Sequence, residues 1–222
     1  MQVEIWSDIV CPWCYIGKRR FERALSQFEG AADVEVTWRS YQLNPAQPKG
    51  DPQHHDEYLA RKMGTSIAQV HQMNQRLVSL AAAEGLDYHF ETYRVINTFD
   101  AHRVMHLARR HGLGSEAHER LLRAQLVEGE LLEDVDTLAR LIAEIGVPEE
   151  ETRAALAGSL FADDVNAEIR EAAMLGCTGV PFFVFDRRFG VSGAQGSDVF
   201  AQVLAKAREA EADAATQARA RA

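Results

Sequence analysis

Apolar residues along this chain follow two rhythms, and the change between them outlines the architecture. Gln2-Val-Glu-Ile-Trp6 reads as a short strand. Tyr15, Ile16, Phe21, Leu25 and Phe28 then recur at helical spacing up to Gly30, and Pro12 suits the first helical position. Residues 34–41 alternate apolar and polar and read as a second strand. A strand–helix–strand opening predicts a parallel β-α-β unit with a right-handed crossover. Asn44-Pro45 through Asp51-Pro52 is a turn-rich linker.

Beyond the linker, alternation gives way to helical spacing. A helix opened by Asp51-Pro52 is predicted to end near Gly64, and a second, capped by Thr65 or Ser66, to end at Gly85. A third, capped by Thr98, runs to about Gly112, and a fourth, capped by Ser115, ends near Gly129. A fifth covers about 135–145, Pro148 starts a short sixth, and a longer helix fills about 160–175. Strand character returns at Phe182–Phe185, just after Val180-Pro181. A turn at Asp186-Arg187-Arg188 leads to Phe189–Ser192, so this pair reads as an antiparallel hairpin. A last helix begins near Gln195 or Ser197, and its alanine-rich end, residues 211–222, is expected to fray. Without the helical block the order is β-α-β-α-β-β-α. The expected fold class is therefore α/β, a thioredoxin-like fold with a large all-helical insert. Its core is 1–49 plus 159–210 and its insert is 50–158.

Composition narrows the function classes. Hydrophobic residues make up 46% and charged residues 26%, which excludes a disordered chain and fits a soluble globular one. The formal net charge is −9 and no Lys/Arg cluster stands out, so no nucleic-acid partner is expected. No apolar run approaches the roughly 18 residues of a membrane span, so no membrane partner is expected either. Met1 to Asp8 lacks a basic stretch leading into a long apolar segment. Taken as a complete chain, the protein is expected in the cytoplasm.

Cysteine usage brings in the chemistry. The chain has three cysteines, two of them in Cys11-Pro12-Trp13-Cys14 and the third at Cys177. In a reducing compartment a single C-x-x-C is catalytic or metal-binding more often than structural. Zinc needs four ligands as a rule, and no second C-x-x-C or spaced histidine pair completes a set, His54 and His55 being without partners. No metal is expected. Disulfide exchange needs a thiolate, and a helix N-terminus favours one through its free N–H groups and macrodipole. Cys11, at the exposed lip of the helix, is the expected nucleophile, and Cys14, one turn in, the resolving thiol. Trp13 is expected to be exposed as a contact for apolar ligands. A proline heading an apolar strand removes a ladder bond; alone it reads as an ordinary trans turn, but combined with the C-x-x-C and the element order Val180-Pro181 is expected to be cis, with its backbone near the Cys11 sulfur. Cys177 reads as a small buried hydrophobe rather than a third redox thiol.

Cys11-Pro-Trp-Cys14-Tyr15-Ile16-Gly17-Lys18, Gly179-Val180-Pro181-Phe182-Phe183 and Val191-Ser-Gly-Ala-Gln195 together closely resemble the FrnE-like branch of the DsbA family. Asn97-Thr98-Phe-Asp-Ala-His102-Arg103 in the insert is similar to that branch as well. The resemblance spans about residues 3–205. It implies thiol–disulfide oxidoreductase activity, with Cys11 as nucleophile, Cys14 as resolver and Pro181 as the cis-proline of a substrate-docking loop. Val180, Trp13, Asn97 and Thr98 become candidate substrate contacts; the plainer reading makes Thr98 a helix N-cap and His102 a packed helix residue. Many thioredoxin-fold enzymes carry a buried acid six residues before the first cysteine, where this chain has Ile5. The nearest acid, Asp8, is a candidate proton relay, or else ends the strand or caps a turn.

The expected activity is thiol–disulfide exchange with protein or peptide partners, without a dissociable cofactor, glutathione being the alternative co-substrate. Two rivals remain. One is a glutathione-dependent enzyme of the kappa-class transferase or 2-hydroxychromene-2-carboxylate isomerase type, whose members typically have Ser in place of Cys11. The other is a redox-inert interaction module, for which alkylating Cys11 would leave function intact.

Overall fold

The computed structural model describes residues 1–221. Its centre is a mixed four-stranded sheet built from β1 (Gln2–Ser7), β2 (Glu35–Ser40), β5 (Phe182–Phe185) and β6 (Phe189–Ser192) in the order β2-β1-β5-β6. β1 runs parallel to β2, with Val3 opposite Val36, and antiparallel to β5, with Ile5 opposite Phe183. β5 and β6 form an antiparallel hairpin in which Phe183 faces Val191. Asp186 and Arg187 in its turn adopt positive φ, as tight hairpin turns demand.

Both faces of the sheet are covered, which is why β1 is buried on both sides rather than alternating. On one face α1 (Pro12–Ser26) and α9 (Ser197–Arg221) pack over Val3, Ile5, Phe183 and Phe185. Phe21 of α1 sits among Phe183, Phe185 and Phe200, its ring centroid 5.5, 6.2 and 5.7 Å from theirs. On the other face α8 (Ala162–Met174) lies under Trp6, whose indole N–H donates to the Glu168 carbonyl at 2.9 Å. The Glu168 carboxylate is a buried hub. It accepts from the Ser40 backbone N–H at 2.7 Å, from Arg39 and Arg109 at 2.9 Å each, and lies 3.1 Å from His106.

The insert contributes α2 (His55–Met63), α3 (Ile67–Ala82), α4 (Phe99–Arg110), α5 (Gly114–Arg123), α6 (Val135–Ala143) and α7 (Glu149–Ala157). Ser66 caps α3 in a reciprocal capping box with Gln69.

Several expectations are corrected. The insert is not all-helical: β3 (Gln53–His54) pairs antiparallel with β4 (Arg94–Val95). This ladder extends the chain after Pro52, so α2 starts at His55 rather than at Asp51-Pro52. α5 starts at Gly114 with Leu113 in the cap position, so Ser115 lies inside the first turn and caps nothing. The helix continues as a π-turn over Ala124–Glu128 before Gly129, with φ 70°, stops it. α1 ends at Ser26, and a 3₁₀ turn (Ala31–Asp33) follows Gly30. α9 continues through the stretch read as a frayed tail, because no glycine or proline interrupts its alanines and long charged residues; Ala222 lies outside the described residues. Among the described residues, no helix is long and apolar enough to cross a membrane.

Candidate active site

The hand-over from β1 to α1 builds the site. Ser7 and Asp8 close the strand, and the chain turns so that the Cys11 N–H donates to the Asp8 carbonyl at 3.0 Å. Cys11 takes the N-cap position with extended backbone, and Pro12, which has no N–H to leave unpaired, starts the helix. Cys14 lies one turn in, its N–H donating to the Cys11 carbonyl at 2.9 Å. The Val180–Pro181 peptide is cis and faces this turn, and the Cys11 thiol donates to the Val180 carbonyl at 3.6 Å. Gly17 permits the approach: a Cβ there would lie 2.9 Å from Pro181 Cγ.

The two thiols differ in surroundings. Cys11 is 4% exposed and Cys14 is wholly buried. Cys11 is thus not at an exposed lip, because the Val180 loop and the insert close over the helix start. Burial pushes the Cys14 thiol well above the ordinary range, and the neighbouring Cys11 adds to this. The Ser7 hydroxyl and the Asp8 N–H act in the opposite direction. Two thiols one helical turn apart at a helix start can close a disulfide or exchange one.

Two tyrosines that the sequence reading missed hold the Cys11 turn from the insert. The Tyr93 hydroxyl donates to the Val10 carbonyl, and the Tyr88 hydroxyl to the Pro12 carbonyl at 2.6 Å. Burial, and after it the Cys11 charge, pushes both phenols up, so they remain protonated donors at neutral pH. They lie more than seventy residues away in sequence, and no local pattern announces them.

The other candidates separate. Trp13 is 41% exposed. The Asp8 carboxylate is buried, accepting from the Leu43 N–H at 2.7 Å and lying 3.3 Å from His102 Nε2. His102 is therefore packed, against Asp8. Thr98 occupies the cap position of α4 but makes no side-chain cap bond. Asn97 does that work, its Oδ1 accepting from the Phe99 N–H at 2.9 Å while its amide donates to the Gln47 carbonyl at 2.6 Å. Cys177 is buried, its thiol 3.3 Å from the Gly179 carbonyl and pushed up by burial.

A cavity of about 930 Å³ opens beside Cys11, Pro12 and Trp13. Its far wall is the insert, where Tyr58, Met73 and Leu77 face it, with Lys62 and Arg76 as its cations. Asp8 and Thr98 line it too; Asn97 is not in its wall. Among the described residues, no group of three or more His, Cys, Asp or Glu is arranged to hold a metal ion.

The family model for the DSBA-like thioredoxin domain matches residues 2–205. The chain belongs to the DsbA-like thioredoxin family. A probable DsbA oxidoreductase from Streptomyces coelicolor is 44% identical and superposes with a TM-score of 0.91, over 94% of this chain and 90% of that one. The cytosolic disulfide reductase DsbM from Pseudomonas aeruginosa, solved with GSH, is 18% identical with a TM-score of 0.65, over 94% of this chain and 100% of its own. A 2-hydroxychromene-2-carboxylate isomerase is 14% identical with a TM-score of 0.67, over 97% and 99%. The last two share the fold with this DsbA-like protein.

Proposed function

We propose that this DsbA-like protein is a thiol–disulfide oxidoreductase that exchanges disulfides through Cys11 and Cys14. The observation that carries this reading is the asymmetry of the pair. Cys11 stands at the helix start on the wall of a large cavity, and Cys14 is shut away one turn deeper. Cys11 attacks the partner's disulfide, and Cys14 then attacks Cys11 and releases the reduced partner. Pro181 and Val180 dock the partner, the loop offering its backbone to an extended peptide as an added strand. Trp13 supplies an exposed apolar contact. Asp8, on the same cavity wall, is the candidate acid–base group. Partners are protein or peptide thiols and disulfides in a reducing compartment such as the cytoplasm, and no dissociable cofactor takes part.

The cavity supports a second reading, a glutathione-dependent transferase or isomerase, because its volume suits a small molecule held between Cys11 and the insert. Trapping separates the two. Cys14→Ala removes the resolving thiol and leaves Cys11 able to attack. Expressed in its native cells, this variant is expected to accumulate discrete higher-mass adducts on non-reducing gels that collapse with dithiothreitol. Mass spectrometry identifying proteins on Cys11 supports the oxidoreductase. One glutathione as the sole adduct transfers the assignment to the second reading.

A further inference from the structure

On charge alone, a chain of net charge −9 repels acidic partners and attracts basic ones. The cavity beside Cys11 has the opposite local sign. Among the described residues its wall holds one carboxylate, Asp8, and that group is buried at the Cys11 end, accepting from the Leu43 N–H at 2.7 Å. Its cations are Lys62 of α2 and Arg76 of α3, both exposed. Elsewhere cations are taken up by carboxylates, as Lys18 is by Glu119 at 3.1 Å and Arg20 by Glu84 at 2.7 Å. Among the described residues neither Lys62 nor Arg76 has such a partner, and Lys62 Nζ stands over the Tyr58 ring, 5.4 Å from its centre. Two unpaired positive charges therefore share one cavity with the nucleophile.

The elements fix where those charges stand. α2 begins beside the Cys11 turn: the His55 ring packs on Tyr93 with centroids 4.7 Å apart, and the Tyr93 hydroxyl donates to the Val10 carbonyl. Lys62 follows His55 by seven residues in the same helix. At 1.5 Å per residue it lies about 10 Å along the axis. An extended peptide covers about 3.3 Å per residue, so about three of its residues span that path. α3 returns alongside α2, the Asn74 amide donating to the Asp56 carboxylate at 2.7 Å, and so carries Arg76 back toward the start of α2. Trp13, Leu43 and Met73 line the same cavity yet are 41%, 41% and 46% exposed. Apolar side chains left open together on a cavity wall gain from being covered by a partner.

We propose that this cavity selects partner segments that carry an apolar residue next to the reacting cysteine and a carboxylate about three residues from it, the carboxylate being held by Lys62 and Arg76. The assignment rests on the exchange reading above and names its partners more closely. The apolar residue covers Trp13, Leu43 and Met73, and the carboxylate meets charges that the fold leaves unpaired. Both cations are exposed, so their effect falls on encounter and docking and is screened by salt. The exchange itself is unaltered: the Cys11–partner bond forms as the partner's own disulfide breaks, and Cys14 then displaces the partner as a thiolate that takes a proton from water.

Peptides with blocked termini, one cysteine and a neighbouring leucine test this. Each carries Glu, Gln or Lys three residues before or three residues after the cysteine, and each is supplied as its mixed disulfide with uncharged 4-thiopyridine. Attack by Cys11 on the peptide sulfur releases thiopyridone, which is followed by absorbance with the full reduced chain in a Cys177→Ser background. Dividing by the rate with free mercaptoethanol removes each peptide's own reactivity. In at least one placement the Glu peptide is expected to react about tenfold faster than the Lys peptide at 20 mM salt, narrowing to about twofold at 500 mM. Lys62→Gln with Arg76→Gln should bring that ratio to one or below, whereas Lys62→Arg with Arg76→Lys should keep it. Arg170→Gln with Lys206→Gln removes two charges outside the cavity wall and should also keep it. The proposal is overturned if Glu and Lys peptides react alike in both placements, if the ratio ignores salt, if it survives loss of Lys62 and Arg76, or if the Arg170 and Lys206 pair lowers it equally. A parent that releases thiopyridone from no peptide overturns the exchange reading itself, whereas equal release from all of them overturns only the charge assignment.

Discussion

Cys11→Ser is expected to lower disulfide exchange on the order of a thousandfold or more, as read by insulin reduction or release of thionitrobenzoate. A serine hydroxyl at the start of α1 is slightly smaller, does not ionise near neutral pH and forms no mixed disulfide. The loss falls on the first step, so no adduct should form on the variant. Cys177→Ser serves as the contrast. That thiol is buried behind the Val180 loop, spent on the Gly179 carbonyl, and pushed away from ionisation by burial. Its replacement should leave exchange within a few-fold of the parent and cost modest stability. Equal losses in the two variants would place Cys177 in the redox chemistry and contradict the present assignment.

The second large effect concerns stability. Burial alone would push the Glu168 carboxyl up, but the hydrogen bond and charge of His106, the charge of Arg109 and the Ser40 N–H outweigh it and hold the carboxyl far below its ordinary value of 4.5. A carboxyl with a depressed folded pKa stabilises the folded state fully above its unfolded pKa and loses that contribution as pH falls toward the folded one. Glu168→Gln leaves Arg109 and His106 facing an uncharged amide in a buried setting. It should cost about 3 kcal/mol near neutral pH, a fall of roughly 6–12 °C in Tm. The gap between parent and variant should shrink as pH drops below about 4.5, because the parent then loses what the variant never had. Other paired carboxylates, Glu84 and Glu119 among them, titrate in both proteins and cancel in the difference. Urea melts from pH 3 to 7 measure it. A gap that is pH-independent, or absent at neutral pH, would contradict this account of the hub.

Local signals in the sequence carried the strands, the helix start and the Val180-Pro181 turn. The alternation of residues 34–41, the Pro12 start and the glycines after α2, α3 and α4 are each written within a few residues of where they act. The misread features are of another kind. The β3–β4 ladder is two residues long on each side, too short to show a period of two. The Asn97 bond to Phe99 replaces a Thr98 cap because both residues are cap formers, and only the surrounding backbone chooses between them. Cys11 is buried by Val180, which is 169 residues away, and its turn is held by Tyr88 and Tyr93 of the insert. Long-range hydrogen bonds of this kind leave no periodic trace. The His118 contact behaves likewise: on α5 it is one more inward-facing position, and its bond to Ser7 emerges only where β1 brings that residue beside it.

The central claim is that Cys11 and Cys14 form one redox couple. The direct measurement equilibrates the protein in glutathione buffers of graded ratio, quenches with acid, alkylates the free thiols and maps the peptides. The account predicts that Cys11 and Cys14 lose alkylation together in a single two-electron transition, yielding a Cys11–Cys14 disulfide, while Cys177 remains a free thiol at every ratio. Independent titration of the two cysteines, a disulfide that includes Cys177, or no transition across the buffer range would contradict it.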